Sequence, residues 1–353
     1  MKHAEATVPP APSPAPSPSV AAQAPARDEI YAAITSHTIS AAAARFPERV
    51  YVPNTLSGTV DEIDPATFKV VSVLHVGGVP HHVTPSWDLQ HLYVDNSGNG
   101  TLDEINPMTG RLTRTISMPA PYNLYSTPDG KKAVLVAEYD KEIEFRNPRT
   151  WKLIKAVPIP WAGVDHMDFS RNGRYLLTSC EYTGEVVRVD TVHMRVTGEL
   201  AVGGNPVDVK VSPDGKLFFV ANQGLGGVSV IDPKRMKQVG FIVTGTGAHG
   251  FAVSRNAKML YVSNRLAGSI SVIRFAGRKV VATWQVGGSP DMLQVSPNGR
   301  QLWASNRFGD TVSVISTGTG RVIRQITVGS QPHGLAYFPQ PGRFSLGHNG
   351  VYR

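Results

Sequence analysis

The chain has 353 residues, with 34 Gly, 27 Pro, one cysteine and 35 Lys+Arg against 27 Asp+Glu, a formal net charge of +8. A lone Cys180 excludes an internal disulfide framework and a cysteine-built metal cluster, and no apolar run reaches the length of a membrane span. The positive charge is spread without a Lys/Arg run or an accompanying aromatic stripe, so nucleic acid is not an expected partner.

From Thr7 to Ala26 the sequence is dominated by Pro, Ala and Ser with no charged residue, too poor in apolar bulk to fold. Residues 1–27 therefore read as a flexible, semi-extended tether. They contain no hydrophobic signal core. Because such tethers follow signal or lipoprotein segments, an extracytoplasmic location (secreted, periplasmic or cell-surface) is expected, with the cytoplasm as the alternative. Residues 28–45 are Ala-rich and acidic at the start, which predicts a weakly helical extension packed on the outside of the main domain.

Residues 46–340 are built from repeats. An aromatic/aliphatic-Val-x-Asn motif ends at Asn54, Asn96, Glu138, Cys180, Asn222, Asn264 and Asn306, a period of 42 with some degeneration. A second motif runs in step, opening at Pro80, Pro121, Val164, Pro206, Ala248, Pro290 and Pro332. Within the unit from Pro206, Asp208–Val211 alternates in polarity and Ser212-Pro213-Asp214-Gly215 makes a turn. Leu217–Ala221 is an apolar run suited to a strand buried on both faces, and 228–231 and 238–243 supply two further strands. Repeats of this length with four short strands each predict an all-β, seven-bladed β-propeller of four-stranded antiparallel blades. The first repeat lacks a first strand, while the last motif is followed only by Leu335–Phe338. The C-terminal strand is thus expected to join the N-terminal blade and close the ring without an open edge. Residues 341–353 carry no repeat signal and are left as an unplaced tail.

Tyr51-Val-Pro-Asn54, Tyr93-Val-Asp-Asn96, Phe219-Val-Ala-Asn222 and Tyr261-Val-Ser-Asn264, most of them preceded by Ser-Pro-Asp-Gly-like turns, resemble the YVTN family of bacterial and archaeal β-propeller repeats. The resemblance covers about 290 residues and implies the fold. It implies little about function, since the family spans surface proteins, binding modules and relatives of enzyme propeller domains.

The recurring Asn is expected to tie down the loop after the second strand. The positions following each Pro or its substitute open the innermost strand at the channel mouth. They read His81, Tyr122, Asp165, Val207, His249, Asp291 and His333, with His82, Asn123, His166 and Asp208 one step inward. Ring closure sets His249, Asp291, His333 and His81 on four successive blades. Arg265 and Arg307 join this arc from the loops after Asn264 and Asn306. Imidazoles, guanidiniums and carboxylates together suggest a pocket for a small anionic ligand or a protein partner. The plainer alternative is a wet, polar mouth with no ligand. A sharper expectation is a divalent transition metal held by His81, His249, Asp291 and His333, all ligand types that zinc, copper or iron accept. Covalent haem, Walker and nucleophile-elbow motifs are absent from the sequence. Cys180 reads as a small residue filling an Asn place. The expected role is a monomeric binding or interaction module acting through this mouth. The runner-up is a metal-dependent propeller enzyme of lactonase or lyase type.

Overall fold

The computed structural model describes residues 30–35, 37–347 and 353. The predicted tether, residues 1–27, lies outside the described residues.

The chain forms seven antiparallel four-stranded sheets. In the unit read above the strands are Pro206–Val211, Phe218–Asn222, Gly227–Asp232 and Lys237–Val243. The three inner strands are buried almost throughout, whereas the outermost largely alternates between exposed and half-buried positions. That gradient arises from stacking. An inner strand has a neighbouring blade on each face, and an outer strand meets water on one side. The Ser212–Gly215 turn is locked locally: Ser212 Oγ donates to Asp214 Oδ1 at 2.6 Å and the Gly215 amide donates to the Ser212 carbonyl at 2.8 Å.

Ring closure matches the sequence expectation. Ala336–Phe338 pairs with Arg49–Asn54 in the register Val50↔Tyr337, and Thr59–Asp64 and Lys69–His75 complete the sheet. We number this sheet blade 1, and the sheets opening at Pro80, Pro121, Val164, Pro206, Ala248 and Pro290 blades 2 to 7.

Each first strand begins opposite the end of its second strand. The pairs are Pro332↔Asn54, Pro80↔Asn96, Pro121↔Ala137, Val164↔Cys180, Pro206↔Asn222, Ala248↔Asn264 and Pro290↔Asn306. This corrects the motif alignment in blade 3, where Ala137 and not Glu138 takes the Asn place. The missing residue lies earlier, between Asn96 and Pro121, which are 25 residues apart against 26 for Asn54 and Pro80, so a fixed count of 42 overshoots by one. The bulge also takes a different form there, with one extra residue in each case. In blade 2 two residues, His81 and His82, bulge between the pairs Pro80↔Asn96 and Val83↔Val94, whereas in blade 3 Tyr122 bulges alone before Asn123↔Val136.

The Asn side chains tie down loops, as expected. Asn222 Oδ1 accepts from the Asn205 and Leu225 amides and its Nδ2 donates to the Gly203 carbonyl. Asn264 and Asn306 instead donate to the hydroxyls of the third strand, Ser269 and Ser271 or Thr311 and Ser313.

The N-terminal extension departs from expectation. Among its described residues only Ala32–Thr35 is helical, and the segment crosses the channel end opposite the mouth instead of packing outside the ring. Tyr31 donates to the Val211 carbonyl at 2.8 Å, His37 Nδ1 lies 3.3 Å from the Pro297 carbonyl, and Gln90 donates to the Ala42 carbonyl. Ile30, Tyr31, Ile34 and Phe46 thereby join a core with Val83, Val209, Val211 and Phe338. The tail closes the same end. Ile39 bridges to Gly342, Tyr125 bridges to Gly347, and the buried Arg353 guanidinium donates to Asp168 Oδ1 at 2.7 Å.

Candidate functional site: the histidine-lined mouth

The first-strand bulges deliver side chains to the open end of the channel in tiers. The floor carries, from blade 1 to blade 7, His333, His81, Tyr122, Asp165, Val207, His249 and Asp291, every one of them buried. One step inward lie His82, Asn123, His166 and Asp208, all buried. His81 packs on Tyr122 with ring centroids 4.7 Å apart, and His82 lies 4.8 Å from His333 and 5.3 Å from His166. His249 completes the cluster at 6.1 Å from His333 and 6.4 Å from His166. Five imidazoles and a phenol therefore form one packed group. Blades approach so closely here that Gly334 and Gly250 have no room for a side chain. A Cβ on Gly334 would meet the His81 carbonyl at 2.5 Å and His82 Nδ1 at 2.8 Å, and one on Gly250 would meet the Asp291 carbonyl.

Polar contacts fix the rings. His81 Nδ1 lies 3.1 Å from His333 Nδ1, so one of the pair must carry the proton, and His81 Nε2 lies 2.9 Å from Ser97 Oγ. Asp291 Oδ1 accepts from Arg265 Nη2 at 2.5 Å and Nε at 3.0 Å, and lies 2.9 Å from His249 Nδ1. Arg265 also reaches His249 Nε2, and its Nη1 donates to Gln223 Oε1 at 3.0 Å. Asp165 pairs with His166. Asp208 is turned away to backbone, accepting from the Val209 and Phe251 amides at 2.8 Å each. Its part is to tie neighbouring inner strands together.

Burial and charge set the protonation states. Burial, then the Arg307 guanidinium, pushes His81 down to about 3, and burial with Arg265 pushes His249 down to about 4. His82 and His333 are held well below their usual range, by burial first and by neighbouring cationic groups. His166 is the exception: burial would lower it, but Asp165, Asp208 and Glu181 together overcome burial and raise it. Burial would raise Asp291, and Arg265, His249 and Arg307 overcome it, holding the carboxyl well below the usual range. At neutral pH the floor is thus a set of neutral imidazoles around an Asp165/His166 pair and an ionised Asp291.

A metal could use part of this set. One ligand atom each from His249, Asp291 and His333 lie within 4.8 Å of one another. His81 lies outside this trio, engaged with His333 and Ser97. Arg265 already supplies a cation to two of the three residues.

Above the floor stands a rim formed by the residue that comes after the register-matched Asn place in each blade: Thr55, Ser97, Glu138, Glu181, Gln223, Arg265 and Arg307. Sequence reasoning found the two arginines. It missed Glu138 because the one-residue deletion before Pro121 put Glu138 into the Asn place, and it left Glu181, the residue after Cys180, out of the arc. The signal was the acidic pair Glu138 and Glu181 once Ala137 is aligned with Cys180. Burial raises both carboxyls to about 7; Asp165 adds to the shift of each. Leu56, Tyr139, Tyr182, Leu225, Leu266 and Phe308, on the same loops, are each more than half exposed and surround the rim. Cys180 is fully buried, and burial pushes its thiol up, so it fills space as expected.

Fold and site together define a seven-bladed β-propeller with an imidazole-packed mouth. A family model described as YNCE-like beta-propeller matches residues 14–341, and the chain belongs to that family. No curated protein shows significant similarity. Among solved structures the chain is similar to a chain of Kuenenia stuttgartiensis hydrazine synthase, with 20% identity and a TM-score of 0.68 over 76% of this chain and 92% of that one. It is also similar to a functionally unknown protein from Desulfotomaculum acetoxidans, with 16% identity and a TM-score of 0.71 over 82% and 98%. A Bacteroides fragilis structure provisionally assigned as a 6-phosphogluconolactonase matches at 18% identity and a TM-score of 0.68 over 84% and 99%. At these identities the likeness is one of fold. Among the described residues, no helix is long and apolar enough to cross a membrane.

Proposed function

We propose that this propeller is a binding module whose mouth takes a small, partly anionic ligand on the rim above the buried histidines. The observation that carries this reading is Arg307. Its guanidinium is half-buried at the rim, donates to Thr55 Oγ1 at 3.3 Å, and forms no ion pair with a carboxylate among the described residues. A cation at the rim without an ion-paired carboxylate, above a floor whose imidazoles are largely neutral, suits an incoming anion. The apolar ring around it supports seating of a ligand frame or partner segment on this face. The test is a thermal-shift screen of small metabolites on the wild type and R307Q. Hits that lose their stabilising effect in R307Q support the reading. Hits indifferent to R307Q overturn it.

A second reading is favoured by one observation, the His249–Asp291–His333 trio. A divalent transition metal there would supply Lewis acidity for lactonase- or lyase-type chemistry, with His82 and His166 the nearest candidates for proton transfer. Near-stoichiometric metal by plasma mass spectrometry, lost in H333A, would establish it. A metal-free wild type would remove it. We further read the repeats as YVTN-type on the Tyr-Val-x-Asn strands, and place the ring outside the cytoplasm on the composition of residues 1–27.

A further inference from the structure

The rim is electrically polarised. Taken around the ring, its residues read Thr55, Ser97, Glu138, Glu181, Gln223, Arg265, Arg307: two carboxyls on adjacent blades 3 and 4, and two guanidiniums on adjacent blades 6 and 7. Blade 7 is three steps from both blade 3 and blade 4, the largest separation that a ring of seven permits. The poles therefore face each other across the mouth.

Among the described residues, Arg307 at one pole forms no ion pair with a carboxylate, Glu138 and Glu181 at the other form none with Arg or Lys, and they feel opposite charge only at a distance. Arg265 is consumed by Asp291, but Arg307 is not. Glu181 receives only a long hydrogen bond, 3.5 Å, from Gln223, and Glu138 interacts with the Tyr182 hydroxyl. Burial and then Asp165 raise both carboxyls, and Glu138 adds to the shift of Glu181 while Arg265 and His166 oppose it. The Tyr122 phenol on the floor is within reach of both poles: burial, Asp165, Glu138 and Glu181 raise it while Arg307 lowers it. A protein that merely needed a wet, polar mouth would not hold like charges together on one side and a cation without an ion pair on the other. Self-pairing of Arg307 with either Glu would cost less, and the blade spacing prevents it.

We infer that the ligand of this mouth is dipolar, a compound carrying an ammonium group for Glu138 and Glu181 and a carboxylate for Arg307 on one short apolar frame. This rests on the reading of the mouth as a ligand site and names the class of ligand. The frame would lie over the Tyr122 ring, flanked by Tyr139 and Tyr182 at the acidic pole and Phe308 at the basic one, side chains otherwise exposed to water. Two fixed poles set a length as well as a charge pattern, so the site should distinguish compounds that carry both groups from those that carry one.

Isothermal titration with 6-aminohexanoate, 4-aminobutyrate, hexanoate and hexylamine at pH 7 tests this. At least one amino acid should bind about tenfold or more tightly than either singly charged compound, a difference of about 1.4 kcal/mol. R307Q should reduce that amino acid to the level of hexylamine, and the isosteric double variant E138Q/E181Q should reduce it to the level of hexanoate. Circular dichroism and melting curves check that both variants fold. Hexanoate binding as tightly as the amino acids would overturn the dipolar inference and leave an anion site at Arg307. No binding by any of the four also overturns it, and the metabolite screen against R307Q then decides the mouth reading on its own.

Discussion

Arg265 shows how one side chain carries several duties at the mouth. It neutralises the buried Asp291, orients His249 and bonds Gln223. R265A should therefore cost about 3–5 kcal/mol in denaturant unfolding, because a buried carboxylate loses its partner. R307Q, which loses only a 3.3 Å bond to Thr55, should cost about 1 kcal/mol or less. The titrating groups act in opposite directions. His81 and His249 sit at about 3 and about 4 in the folded protein against 6.5 normally, so their contribution is present above pH 6.5 and is lost as pH falls. Glu138 and Glu181 sit at about 7 against 4.5, so theirs is present below pH 4.5 and is lost as pH rises through 7. Unfolding free energies at pH 5 and pH 8 separate the two. E138Q/E181Q should gain on the wild type by about 1 kcal/mol or more between those values. An unchanged difference would show that the carboxyls are not held up by burial.

Strands and turns of the repeat were legible in sequence because polarity and turn chemistry repeat locally. Leu217–Ala221 was expected and Phe218–Asn222 is found, a shift of one residue. What local pattern could not show is the form of each first-strand bulge. That form depends on pairing with a strand some fifteen residues away, and it sets how the floor side chains are presented. The bulge also makes glycine necessary beside it. G334A would push a methyl into the His81 carbonyl and His82 ring. It should lower stability by about 1–3 kcal/mol, read from urea melts, and displace the cluster. N222A removes an amide that makes three hydrogen bonds to loop backbone, and should cost about 1–3 kcal/mol by the same measurement.

The ring as a whole depends on its ends. Blade 1 draws its innermost strand from Ala336–Phe338, and the same C-terminal stretch supplies His333 and Gly334 to the mouth. A chain truncated before Pro332 should expose strand edges on blade 1, lose the His81–His333 contact and aggregate on size-exclusion chromatography. Closure was readable in advance, since the first repeat lacked a strand and the last motif had one to spare. The repeat period, the blade number, the closing strand and the polar character of the mouth were all fixed by the sequence, because periodic burial and turn residues are local properties. The tertiary structure alone decided two things. It joined His249, Asp291 and His333 while turning His81 to Ser97 and Asp208 to backbone. It laid the N-terminal extension and the tail across the far end of the channel. Each of these depends on distances between residues on different blades, which become defined only when the ring closes.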